Sequence, residues 1–199
     1  MIQILLLVPY IMPIVVTGLL WQFILEPRTG LVNSALRAVG LDAAAGLWLS
    51  GPETALLSVS LVQVWVIAPF AMLLIFAGMV SLPGEVLEAA DLDGASNLTK
   101  MVRVVLPMVR PTVFVTAVII TVDLFRSFDL VYLLTRGGPI NSTTIATLFV
   151  FVEGFVNNDY GYANAVGVLV GLVLAAFAIV PRLLARRSAR RVALTEAER

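Results

Sequence analysis

Residues 85–111 read EVLEAADLDGASNLTKMVRVVLPMVRP. No other internal stretch carries as much charge: Glu85, Glu88, Asp91, Asp93, Lys100, Arg103 and Arg110 fall within it, and long charge-free runs lie on both sides. A polar segment rich in helix formers, hung between two apolar runs, is built to be reached from water. Pro83 and Gly84 end the apolar run before it. Glu85 to Leu92 reads as one short helix. Asp93-Gly94 breaks it, since Gly readily takes the positive φ of a sharp turn. Ser96 is placed to cap a second helix through about Val105, and Pro107 and Pro111 are expected to close it. Ala89 and Ala90 give the first helix a smooth face, with Glu88 as a fixed charge beside it.

Composition sets the class of the whole chain. It has 199 residues, 60% hydrophobic and 13% charged, against about 25% charged in a soluble domain. That places it among membrane proteins and predicts an all-α, polytopic helical fold. It contains no Cys and no His, which removes thiolate chemistry and the commonest metal ligand and general base. Formal net charge is zero, and no nucleic-acid module is present.

Working outward, four membrane-spanning helices are expected, at about 2–24, 55–80, 112–134 and 162–180. The first is long enough to cross roughly 30 Å of hydrocarbon at about 1.5 Å per residue, with kinks at Pro9 and Pro13. No Lys or Arg precedes Arg28, so it does not read as a secretory signal. Between the first two spans, Leu31, Val32, Ala35, Leu36 and Val39 recur at helical spacing and predict a short interfacial amphipathic helix. Thr143 to Val152 is apolar but too short to cross, which fits an interfacial or re-entrant helix.

Basic residues set the orientation. Nine lie in 81–111 or in the tail 181–199, namely Lys100, Arg103, Arg110, Arg182, Arg186, Arg187, Arg190, Arg191 and Arg199. Three lie in the opposite loops, Arg28, Arg37 and Arg136, and Arg126 is intramembrane. Loop 81–111 and the C-terminus are therefore expected in the cytoplasm, with the tail drawn to anionic lipid.

The motifs extend over nearly the whole chain. E-A-A at 88–90, D-G-A at 93–95 and L-P at 106–107 resemble the signature loop of the membrane subunits of bacterial ABC importers. V-P-Y-I-M-P at 8–13, W-V-I-A-P-F at 65–70, S-F-D-L-V-Y-L-L-T-R-G-G-P at 127–139 and Y-G-Y-A-N-A at 160–165 are similar to the carbohydrate-import branch, with its maltose-type and glycerol-3-phosphate-type permeases. The resemblance implies a permease of the bacterial cytoplasmic membrane for a carbohydrate or a glycerol-phosphate-like solute. It implies as partners a second permease subunit, two cytoplasmic ATPase subunits and an extracytoplasmic solute-binding protein. It also implies that Glu88, Ala89, Ala90, Asp93, Gly94, Leu106 and Pro107 form the contact with the ATPase. ATP would be used by that partner. This chain has no G-x-x-x-x-G-K-[ST] loop and is expected to bind no cofactor itself. The family usually has six spans, and the first two have no counterpart here, so an N-terminally shortened permease is expected. A non-transporting remnant or scaffold is the alternative.

Charge inside a span is costly and functional by default. Asp123, Arg126 and Asp129, spaced i, i+3 and i+6, would share one helix face, with Arg126 in reach of either carboxylate. Two readings fit: an ion pair holding helices in register, or a polar wall of a substrate path joined by Tyr132 and, on the last span, Asn164. An intramembrane enzyme would have only Asp123 and Asp129 as a carboxylate pair. Gly137-Gly138-Pro139 and Tyr160-Gly161-Tyr162 read as turn chemistry or as part of a docking surface for the binding protein.

Overall fold

The structure, a computed structural model, describes residues 2–197, with side chains from Leu6 to Ile179. Arg199 lies outside the described residues, and the side chains of Arg182, Arg186, Arg187, Arg190 and Arg191 lie outside the described part of the tail. Every regular element among the described residues is helical.

The first apolar run is two helices, α1 (Ile2–Ile11) and α2 (Ile14–Ile24). A single kinked helix over 2–24 is not what forms. Pro13 cannot donate and disfavours helical backbone at Met12, so the chain stops and restarts. Gly18 of α2 lies against Leu133, where an added Cβ would come within 2.9 Å of the Leu133 Cβ. The segment between α2 and α4 then folds on itself. Glu26 accepts hydrogen bonds from the Arg28 and Thr29 backbone N–H groups and from the Thr29 hydroxyl. The Thr29 backbone bond, the largest influence, holds the Glu26 carboxyl below its usual range. The amphipathic helix forms as α3 (Leu31–Ala38) and ends at Gly40 with φ +77°. Its Asn33 is buried: its amide donates to the carbonyls of Pro27 and Gly46, both at 2.9 Å. Its Oδ1 accepts from Gly46 N at 3.2 Å and Trp48 Nε1 at 2.7 Å.

The next helix, α4 (Ala55–Val80), runs 26 residues without a charged side chain. The polar segment follows as α5 (Gly84–Leu92) and α6 (Asn97–Lys100). After α6 the helix does not close. A π-helical turn over Met101–Val105 runs directly into α7 (Leu106–Phe125), so Asn97–Phe125 is one helix of 29 residues. Pro107 therefore lies inside a continuous helix, just past the π turn, where its missing N–H leaves a carbonyl of the preceding turn without its donor. The widened turn before it absorbs the misfit, as π adjustments do in membrane helices.

The third apolar run also differs from its expected extent. Helix α7 ends at Phe125, Arg126 and Ser127 leave helical geometry, and α8 runs Phe128–Thr135. A turn with positive φ at Arg136, Gly137, Ile140 and Asn141 leads to α9 (Ala146–Phe151), which continues as a π turn to Val156. The last helix, α10 (Tyr160–Ala197), passes from apolar span into basic tail without a break. Asp159 caps it by accepting from Tyr162 N at 3.0 Å.

Among the described residues, three helices are long and apolar enough to cross a membrane: Ala55–Val80, Asn97–Phe125 and Tyr160–Ile179. The packed centre is Leu25, Val59, Val62, Leu130, Val131, Leu134 and Leu148, drawn from the end of α2 and from α4, α8 and α9. Tyr132 stacks on Phe128 at 5.3 Å and meets Phe151 edge-on at 5.5 Å. Most of the apolar surface of α4, α7 and α10 faces outward, which suits lipid or neighbouring helices as solvent.

Candidate functional site

Two regions carry polar chemistry. The first is the elbow between α5 and α6. Gly94 has φ +71°. Its N–H donates to Asp91 O at 3.0 Å, and Ala95 N–H donates to Ala90 O at 3.1 Å. This paired return to the last turn is a Schellman closure, which favours Gly at the left-handed position. Ser96 then caps α6 through Thr99 N. The elbow is braced by an ion pair, Lys100 Nζ to Asp91 Oδ1 at 2.5 Å, the one salt bridge among the described residues. Glu88, Ala89, Asp93, Gly94 and Leu106 are exposed, and Pro107 is half-buried.

Ala90 departs from the expected face. It is 8% exposed, turned into the protein. A helix rotates about 100° per residue, so consecutive alanines cannot both lie on one face. The smooth exposed face reduces to Ala89 beside Glu88. Leu92 and Leu98, 90% and 75% exposed, flank the elbow instead; apolar side chains on either side of a turn gave no periodic signal to read.

The second region is a pair of cavities where α4 faces the α7–α8 break. One, of about 180 Å³, is lined by Asp123, Arg126, Asp129, Gln63, Ser127 and neighbouring apolar groups. The other, of about 220 Å³, adds Ser60, Thr143 and Ile145 and shares Gln63 and Ser127. Ser127 Oγ donates to Gln63 Oε1 at 2.6 Å.

The structure brings Asp123, Arg126 and Asp129 to one cavity but not onto one helix face. The break at 126–127 separates Asp123 on α7 from Asp129 in the first turn of α8, and no ion pair forms among the three. The register-holding pair expected from i, i+3 spacing is therefore absent, and all three are exposed to the cavity or beyond. Tyr132 lines neither cavity; its ring stacks on Phe128 and meets Phe151 edge-on. Asn164 is exposed on α10 and also lines neither. Gln63 and Ser127 were not singled out by sequence. The available signal was that Gln63 interrupts a long charge-free run. No group of acidic residues able to hold a metal ion occurs among the described residues.

The chain has relatives among known proteins. The family model for the binding-protein-dependent transport system inner membrane component matches residues 1–194. The chain is 33% identical over 175 residues to the trehalose/maltose transport system permease protein MalF of Thermococcus litoralis, covering 87% of this chain and 58% of that protein. It is 33% identical over 172 residues to the diacetylchitobiose uptake system permease protein NgcF of Streptomyces coelicolor, covering 85% and 49%. It is similar to a chain of the bacterial alginate ABC transporter solved in complex with an alginate pentasaccharide-bound periplasmic protein. That likeness has a TM-score of 0.82 and 26% identity, and covers 94% of this chain and 64% of that one. The chain thus spans about half to two-thirds of the length of these relatives.

Proposed function

We propose that this chain, which belongs to the family of binding-protein-dependent transport system inner membrane components, carries a carbohydrate across the membrane for an ATP-driven importer. Membership makes it an integral inner-membrane transport component. The observation that carries the further reading is the exposed elbow at Gly94 between two long apolar helices. A rigid turn at the end of a stiff helix is a lever: a force applied to α5 and α6 passes without a joint through the π turn into α7 and reaches Asp123.

In this reading Glu88, Ala89, Asp93 and Gly94 meet a cytoplasmic ATPase subunit, Leu106 and Pro107 stiffen the base of the lever, and Ala90 supports it from inside. Two such ATPases bind and hydrolyse ATP, and this chain holds no cofactor. A second permease subunit completes the membrane path, and an extracytoplasmic binding protein delivers the solute. The elbow and the C-terminus lie on the cytoplasmic side, and residues 1–199 act as a single transmembrane unit. The carbohydrate class is supported by the trehalose/maltose and diacetylchitobiose systems of the relatives and by the hydroxyl, amide, carboxylate and guanidinium groups around the two cavities.

The test is reconstitution of the complete complex in proteoliposomes with a panel of trehalose, maltose, chitobiose and alginate oligosaccharides. ATP-dependent uptake of one panel member, lost when Glu88 is replaced by Arg while the permease pair stays assembled, is the expected result. ATPase subunits that bind and fire equally well on the Glu88→Arg complex would overturn the assignment of the elbow.

A further inference from the structure

We infer that the contact between Gly78 of α4 and Thr112 of α7 is a pin that clamps the two spans flanking the elbow, so that a push received at the elbow is delivered to both at one point. The inference rests on the proposed transport role and adds to it the residues through which the two long helices share that push. Gly78 and Thr112 are positioning residues: they act through the helices they hold, not on ATP or solute.

A Cβ added at Gly78 would stand 2.7 Å from Thr112 Cγ2, 2.8 Å from its Oγ1 and 3.0 Å from its Cβ. Only a residue without a Cβ lets α7 come this near. Glycine inside a helix otherwise costs stability against alanine, and the close approach is what it allows here. The contact has a defined place on both helices. Val109, Thr112 and Thr116 recur at i, i+3 and i+7, and Val109 and Thr116 are each 3% exposed, so Thr112 lies in the packed stripe of α7. On α4 the Gly78 carbonyl accepts from Ser81 Oγ at 2.8 Å, which secures the last turn of that helix at the pin.

Register extends the clamp along the spans. Ser127, just past α7, bonds to Gln63 of α4. Gln63 and Gly78 are 15 residues apart on one side, and Thr112 and Ser127 are 15 apart on the other. Antiparallel helices with equal spacing between two cross-contacts stay in step, here over about 22 Å, although Pro69 lies within that stretch of α4. On the other side of the pin, residues 79–111 leave one span, turn at Gly94 and return to the other. The Lys100–Asp91 pair braces the apex of this loop, and Gly78 with Thr112 closes its base. A force on the apex of a closed loop cannot enter one leg alone; it reaches both spans where the legs meet. An open base would let α4 and α7 part and dissipate the push as splaying.

The experiment is a size exchange across the contact, in the complete complex in proteoliposomes. Gly78→Ala forces the helices apart. Thr112→Ala removes Cγ2 and Oγ1, the two nearest atoms, and makes room for it. Gly78→Ala is expected to raise the ATP hydrolysed per solute carried about threefold or more with the complex still assembled, and adding Thr112→Ala to bring the ratio back to within about 1.5-fold of the wild type, as residues in contact are coupled. A packing loss with no part in coupling would lower hydrolysis and uptake together and leave their ratio unmoved. Thr112→Leu presses the same contact from the α7 side; it is expected to match Gly78→Ala and stands in for it if that variant does not assemble. The chain has no cysteine, so spin labels at Val80→Cys and Leu106→Cys, both exposed, report the spacing of the two legs independently of transport. Gly78→Ala is expected to broaden their distance distribution and the exchange with Thr112→Ala to narrow it again. A wild-type ratio in Gly78→Ala overturns the inference, as does a raised ratio that Thr112→Ala does not lower, or a label spacing that Gly78→Ala leaves unchanged. A wild-type complex whose hydrolysis is not linked to uptake overturns the transport role itself, and the coupling function of the pin with it, whatever the labels show.

Discussion

Lys100 of α6 reaches back across the turn at Gly94 to Asp91 of α5, its ammonium 2.5 Å from Oδ1. The Lys100 side chain is only 19% exposed, whereas Asp91 is 60% exposed. A half-open pair of this kind contributes at most about 1 kcal/mol, enough to shift an elbow population about fivefold. Replacing Lys100 by Met should loosen the angle between α5 and α6 and raise the ATP hydrolysed per solute carried, roughly two- to fivefold. The double exchange Asp91→Lys with Lys100→Asp should restore the ratio. Stoichiometry measured in proteoliposomes, with high salt reproducing part of the Lys100→Met effect, checks this. An unaltered ratio in the single variant would show the pair to be incidental.

Gly94 makes a separable prediction. A Cβ added there meets nothing within 4 Å, yet φ is +71°. The cost of substitution is therefore backbone strain alone, about 1–2 kcal/mol for Ala. Valine should cost more because its branch stiffens χ1, and asparagine less because it tolerates left-handed geometry. Gly94→Val should leave the protein in the membrane but uncouple uptake from ATP hydrolysis, with Gly94→Ala intermediate and Gly94→Asn mildest. Uptake rates in that order are the readout; indifference to all three would mean that the elbow transmits no force.

Much of this architecture is legible in the sequence because it rests on local rules. Charge-free length locates α4, Asp93-Gly94 locates the elbow, and Ser96 caps the helix after it. What is not legible depends on partners distant in the chain. Pro107 and Pro111 read as stops, but a π turn at Met101–Val105 lets the helix run through them. Asp123, Arg126 and Asp129 read as one helix face, but Arg126 and Ser127 leave helical geometry, and the Ser127 hydroxyl is bonded to Gln63, 64 residues away. Tyr132 looks like a free stacking surface until Phe151 folds against it. Asn33 sits at a polar position of the α3 pattern, yet it is buried because Trp48 and Gly46 return to it.

Glu26 ties the loop after α2 to pH. Its carboxyl is held below its ordinary value of 4.5, first by the Thr29 backbone N–H. A lowered folded value means that the support is present above the unfolded value and is lost as pH falls through the lowered one. Between neutral pH and 5 the turn should therefore be constant, and below about pH 4.5 it should loosen. Amide exchange at Arg28 and Thr29, corrected for intrinsic rates, should rise on acidification in the wild type. In Glu26→Gln it should be raised already at neutral pH and show no further acid step.

Asn33 should be the costliest single position in the segment between α2 and α4. It is 1% exposed and makes four hydrogen bonds, two donated and two accepted. Alanine leaves the carbonyls of Pro27 and Gly46 and the donors of Gly46 and Trp48 without that partner, at roughly 1–3 kcal/mol for each group that water cannot reach. Relaxation and water entry will recover part of this, so about 3–4 kcal/mol is expected. Aspartate should be no better, because it sets two acceptors against the carbonyls that Asn33 now serves as a donor. Arg37, which donates to the Arg28 and Pro27 carbonyls, would be released with the loop. Limited trypsin digestion should then cut after Arg28 or Arg37 in Asn33→Ala while sparing the wild type, and Trp48 emission should shift to the red. A variant with wild-type resistance and unshifted emission would mean that the loop is held by apolar contacts of Val32, Trp48 and Leu49 with the core, and that the asparagine network merely follows it.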